Sequence, residues 1–139
     1  MKEIFKMKLT QMQPSQLYIS CKKLDRVMKM FGKSNNLLEP IPIKKLGNEI
    51  VIVDGHTRAL AAFLHNLKEV EVYWEEEKLD WDAYRICVEW CKNEGIYTIA
   101  DLKNKVISQR EYEKLWLKRC AEMQKELSRK RRLQPENKL

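Results

Sequence analysis

No stretch of this chain is apolar for the roughly 20 residues that a membrane-spanning helix needs. The opening Met-Lys-Glu-Ile-Phe-Lys has no apolar signal region, so a cytoplasmic location is expected. With four cysteines and two histidines, the chain has no Cys-x-x-Cys and no closely paired histidines. Spacing therefore gives no support to a zinc site. Cys21, Cys87, Cys91 and Cys120 are expected as free thiols, with Cys87 and Cys91 on one apolar helix face. Internal repeats and low-complexity tracts are absent as well.

What remains fits one domain of ordinary size. The 139 residues are 44% apolar and include four tryptophans, which argues for a real core and against disorder. The net charge of +7 is uneven. Lys118, Arg119, Lys125, Arg129, Lys130, Arg131, Arg132 and Lys138 crowd the C-terminal end, whereas residues 69–82 are acidic. Residues 128–139 are expected as a frayed or disordered basic tail. Its first reading is a solvated terminus, and its alternative is a contact for nucleic-acid phosphates.

Periodicity gives an α+β fold: a small mixed β-sheet with helices, followed by a helical C-terminal region. Alternation predicts a strand over 5–12. Ser20 caps a helix from Cys21 to about Phe31, which Gly32 ends. Pro40 to Ile43 is extended, Leu46-Gly47-Asn48 turns a hairpin, and Glu49 to Asp54 is a strand. A helix over Ala59–Leu67 and a strand over Val70–Tyr73 follow. Helices are then expected over Leu79–Asn93, after Thr98, and after Ser108, where Glu111 completes a capping box. Tyr112, Leu115 and Trp116 should face inward, and Trp81 and Trp90 should be core. His65 reads as a surface residue. The division is 1–76 core, 77–127 helical region packed on it, and 128–139 tail.

Chemistry concentrates where the apolar run Val51-Ile-Val53 meets the helix-forming Ala59-Leu-Ala-Ala62. Asp54, Gly55, His56, Thr57 and Arg58 occupy that junction. A helix start presents free N–H groups and a positive dipole end, so anions bind there. Gly55 admits close backbone approach, Thr57 caps or donates, and Arg58 clamps phosphate bidentately. His56 donates to a phosphate oxygen. Asp54 takes a hydroxyl proton or holds Mg²⁺ through its waters. Trp74, ending the next strand, is a candidate wall of the acceptor pocket.

Asp54-Gly-His-Thr-Arg58 followed by Ala-x-Ala-Ala resembles the ParB/sulfiredoxin-like superfamily, whose domains bind nucleotide phosphates at such a turn. Pro14-Ser15-Gln16-Leu17, Pro40-Ile-Pro42-Ile43 and Leu67-Lys68-Glu69-Val70-x-Val72 fit the same pattern, so the resemblance covers about residues 3–75. The wording is most similar to the free serine kinases. That resemblance implies phosphorylation of L-serine to O-phosphoserine with Mg²⁺ and ADP or ATP. It also puts Ser15 beside Trp74 as a candidate for the substrate pocket. The alternative is a ParB-like DNA-associated protein with a nucleotide switch, although no helix-turn-helix follows the core. The kinases use a glutamate near the first helix. Here that place reads Ser20-Cys21-Lys22-Lys23, which leaves Glu39 as the candidate second catalytic carboxylate. Sulfiredoxin-like chemistry would need a cysteine inside the motif, and Asp54 to Arg58 contains none.

Overall fold

The computed structural model describes residues 2–33 and 38–133. Four strands form one mixed sheet: β1 (Phe5–Lys8), β3 (Ile41–Leu46), β4 (Glu49–Ile52) and β5 (Glu69–Trp74), in the order β1-β5-β3-β4. β1 runs antiparallel to β5, β5 parallel to β3, and β3 antiparallel to β4. A short parallel pair joins β2 (Ile19–Ser20) to β6 (Val106–Ile107). The helices are α1 (Cys21–Lys33), α2 (His56–Leu64), α3 (Trp81–Asn93), α4 (Gln109–Tyr112) and α5 (Lys118–Arg132). A π turn (Glu113–Leu117) runs α4 into α5. The fold class is α+β. No helix among the described residues is long and apolar enough to cross a membrane.

The strand expected over 5–12 stops at Lys8 and gives way to a 3-10 turn over Leu9–Gln11. The reason is the path that the chain must take. Gln13 pairs with the outer edge of β4, donating to Ile50 O at 2.8 Å and accepting from Ile52 N at 2.9 Å. Four flat strand spacings would separate it from β1 by roughly 19 Å. Five residues reach at most about 18 Å even fully extended. The sheet must therefore curl, and the strand must break to round its end.

α2 lies at the centre, with Ala59, Leu60, Ala61 and Ala62 fully buried. The three alanines let it sit close against α1 and the 3-10 turn Ile99–Asn104. It starts at His56, three residues before expectation, and ends at Leu64 rather than Leu67. Asn66 stops it by entering the left-handed region at φ 63°, and Leu67 N then bonds back to Ala62 O. α1 runs through Gly32 to Lys33. The Ser108 cap is present, with its Oγ accepting from Glu111 N at 3.1 Å.

One core joins all parts, from Leu9 and Ile52 to Cys91, Leu102 and Trp116. Leu115 does not join it and is exposed. The wider i→i+5 turn puts fewer degrees between successive residues, so Leu115 falls short of the buried stripe that Trp116 reaches. Trp90 meets Trp116 edge-on at 6.0 Å. His65 is half-buried rather than on the surface, stacked 4.0 Å from Phe31.

Residues 128–132, expected as frayed or disordered, continue α5 to Arg132, while 134–139 lie outside the described residues. Arg129 pairs with Glu126. Arg131 reaches back to Asp80 at 2.8 and 3.1 Å, and to Asp82 at 3.4 Å. Asp80 also caps α3 by accepting from Ala83 N, so one carboxylate ties the end of α5 to the start of α3. Replacing Arg131 with alanine is expected to leave the sheet unchanged and speed amide exchange over the last two turns of α5. Unchanged exchange there would show that the clasp does not hold the helix end.

Candidate phosphate site at the start of α2

The turn between β4 and α2 is held from three sides. Val53 N donates to Pro42 O at 2.9 Å, which fixes its entry. Ser15 Oγ donates to Ile52 O at 2.7 Å, and Ser15 N donates to His56 Nε2 at 2.9 Å. Gly55 caps the helix at φ 82°, a conformation that glycine adopts without strain. Among the described residues no side chain caps the helix, so Asp54 does not spend its carboxylate on that task. The first N–H groups of α2 are left for an anion.

Arg58 folds back over this opening. A Cβ placed on Gly55 would lie 2.4 Å from Arg58 Nη2 and 2.9 Å from Nε, so only glycine lets the guanidinium lie there. Arg58 Nη1 donates to Glu39 Oε2 at 3.2 Å. Glu39 thus comes to the turn from the loop before β3. A cavity of about 330 Å³ is lined there by Asp54, Arg58, Glu39, Lys2, Pro42 and Tyr73 among others. Two carboxylates and two cations face the same space. Thr57 lies in the first helical turn, half-buried.

His56 has a different place from the one expected. The ring is 3% exposed. Burial lowers its pKa from 6.5 to about 4, against an opposing pull from Asp54. It is therefore neutral at pH 7 and supplies no positive charge. Because Nε2 accepts from Ser15 N, the ring proton sits on Nδ1, which is buried without a partner among the described residues. Ser15 is buried too, with both its hydroxyl and its N–H committed to holding the turn.

Trp74 does not line the Arg58 cavity; it is half-exposed and packs 5.8 Å from Phe5. Tyr73 takes that place, paired with Pro42 across the strands and carrying Lys2 Nζ 4.2 Å above its ring. Successive strand residues point to opposite faces, so choosing between Tyr73 and Trp74 is a matter of parity. Lys2 and Tyr73 were not singled out from the sequence. Cys87 and Cys91 are buried, and burial pushes the Cys91 thiol up to about 12. Interaction with Cys120 raises the pKa of Cys87, and interaction with Cys87 lowers that of Cys120.

The overall fold has similar solved structures. The chain shares its fold with protein Atu1540 from Agrobacterium tumefaciens. The TM-score is 0.51 at 12% identity, over 73% of this chain, and the chain spans 62% of the length of Atu1540. Sulfiredoxin from Arabidopsis thaliana is similar with a TM-score of 0.48 at 15% identity, over 62% of this chain and 97% of that one. ParB from Caulobacter crescentus, a C-terminally truncated chromosome-partitioning protein complexed with CTP-gamma-S, is similar at 0.45 and 19% identity, over 66% of this chain and 52% of that one. No protein-family model and no curated protein matches the sequence.

Proposed function

We propose that the chain binds a nucleotide by its phosphates at the start of α2 and passes a phosphoryl group to the hydroxyl of a small alcohol. L-serine is the acceptor that the motif's resemblance implies. The supporting observation is the uncapped α2 N-terminus with the Arg58 guanidinium folded over Gly55. Free N–H groups and a guanidinium together match a phosphate's oxygens. In this reading phosphate oxygens displace Glu39 from Arg58, which frees a carboxylate at the moment the ligand arrives.

Asp54 is exposed, makes no ion pair among the described residues, and serves as the base. The alcohol oxygen attacks the terminal phosphorus and forms a new P–O bond. The bond from that phosphorus to its bridging oxygen breaks, the hydroxyl proton passes to Asp54, and the nucleotide leaves one phosphate shorter. Asp54 and Glu39 are hard oxygen donors facing one cavity, a set that suits Mg²⁺ held by one or two carboxylates and substrate phosphates. When bound, Mg²⁺ would neutralise phosphate charge.

The test is incubation of the protein with ADP or ATP, Mg²⁺ and candidate alcohols, L-serine first, followed by phosphorus NMR. A phosphomonoester is expected, and Asp54→Asn should cut turnover by at least about a hundredfold, in line with loss of a general base. No product from either donor with any alcohol would defeat the kinase reading. Nucleotide binding is measured separately by calorimetry.

A further inference from the structure

α3 and α5 pack side by side and run in opposite directions. Asp80, at the start of α3, holds Arg131 near the end of α5. Trp90, towards the end of α3, meets Arg119 at the start of α5 at 4.0 Å and Trp116 in the π turn at 6.0 Å. Cys87 stands one turn back from Trp90 along α3, and Cys120 stands about one turn on from Trp116. Between antiparallel helices those two steps go the same way in space. Cys87 and Cys120 therefore face each other across the contact.

Their chemistry agrees with that placement. All four cysteines are free thiols, and Cys120 is half-buried against the core to which Cys87 belongs. Interaction with Cys120, and then burial, push the Cys87 thiol up. Interaction with Cys87, helped by Arg119 and opposed by burial, holds the Cys120 thiol below its ordinary range. The thiolate is the nucleophilic form, so Cys120 is suited to attack and Cys87 keeps its proton until later. Both line a cavity of about 410 Å³ between the β4–α2 turn and the C-terminal helices, which gives a small oxidant a way in to Cys120. Cys91, one turn beyond Cys87, has no exposed surface and does not line that cavity. Cys21 lies elsewhere, at the start of α1.

We propose that Cys87 and Cys120 are a redox pair that a hydroperoxide converts into a disulfide joining α3 to α5. The Cys120 sulfur attacks the outer peroxide oxygen, an S–O bond forms and the O–O bond breaks. The departing oxygen takes up the proton that Cys120 had released, which leaves Cys120 as a sulfenic acid. The Cys87 sulfur then attacks the Cys120 sulfur. An S–S bond forms, the S–O bond breaks, and the hydroxide leaves as water with the Cys87 proton. Two thiols give up two electrons, and the hydroperoxide is reduced to an alcohol and water. The bond fixes the start of α5 to α3, as Arg131 already fixes its end. In a reducing compartment the dithiol is the resting form and the bridge a transient response. The pair is independent of the phosphoryl transfer proposed above.

The experiment treats the reduced, desalted full chain with one equivalent of hydrogen peroxide at low concentration. Remaining thiols are blocked, and the protein is digested with trypsin without reduction. Cleavage after Arg85, Lys92, Arg119 and Lys125 puts Cys87 with Cys91 in one peptide and Cys120 in another. Tandem mass spectrometry is expected to find peptides 86–92 and 120–125 joined through Cys87, with Cys91 and Cys21 blocked as thiols. Dithiothreitol should return both thiols. In Cys87→Ser, Cys120 should stop at the sulfenic acid, and its capture by dimedone should rise at least tenfold over the wild type. In Cys120→Ser, Cys87 should remain a thiol. The wild-type map decides alone if a serine variant fails to fold. Cys120 left unoxidised, Cys87 left free while Cys120 is oxidised, a bridge from Cys120 to Cys91 or Cys21, or equal dimedone capture in folded Cys87→Ser overturns the assignment.

Discussion

Lowering the pH from 7 to 4 is expected to remove about 3 kcal/mol of stability through His56 alone. Its pKa falls from 6.5 in the unfolded chain to about 4 in the native state, and each pH step is worth about 1.4 kcal/mol. Between those values the unfolded chain holds the extra proton. Stability contributed by the neutral ring is thus complete above pH 6.5 and is lost as pH falls toward 4. Carboxylates titrate over part of the same range, so the measurement is a difference. Urea unfolding of the wild type and of His56→Gln is followed at each pH from 7 to 4. Glutamine does not titrate and keeps an acceptor for Ser15 N. The gap between the two proteins should shift by about 3 kcal/mol in favour of His56→Gln at pH 4. A constant gap would mean that the native ring takes up its proton as freely as the unfolded one.

Gly55→Ala is expected to abolish phosphate binding at modest cost to the fold. The left-handed φ of 82° costs alanine about 1 kcal/mol. The larger effect is displacement, because the new methyl would sit 2.4 Å from Arg58 Nη2 and drive the guanidinium off the helix start. Charge-assisted hydrogen bonds are worth about 1.5–3 kcal/mol each, so loss of a bidentate clamp should weaken ADP at least about a hundredfold. Arg58→Ala should match it, and Arg58→Lys should recover part, as a point charge without the fork. Calorimetric titration of ADP into the three variants decides the matter. Wild-type affinity in folded Gly55→Ala would remove the turn from consideration as the phosphate site.

Features written in a few adjacent residues could be read directly. The Gly47 hairpin, the extended prolines before it, the Ser108 cap and the Asp54–Arg58 junction each carry their own turn or cap chemistry. What escaped reading depends on residues far apart. His56 is defined by Ser15, 41 positions earlier, and Arg131 by Asp80, 51 positions earlier. A lone histidine in a polar motif reads as exposed, and nothing local says that its ring turns inward. A basic run reads as solvated until an acidic helix start is known to lie against it. Glu39 could be proposed but not placed, because only the path into β3 brings it to Arg58. Asn66 could have been found, since asparagine is the residue after glycine most at ease in a left-handed helix stop.

Gln13 carries a consequence for how the chain is made. Its backbone closes the edge of β4, and its side-chain amide donates to Ile96 O at 2.9 Å, 83 residues downstream. Ile19 in turn waits for Val106 to form its ladder. During synthesis the hairpin and α2 emerge well before either partner, so the Gln13–Ser20 stretch that braces the β4–α2 turn is itself secured late. Contacts of such sequence separation slow folding relative to local ones. The four-stranded sheet has all its strands once Trp74 is made, whereas Ile19–Ser20 stays an open strand until Val106 and Ile107 follow, which is the interval in which the nascent chain has most need of protection.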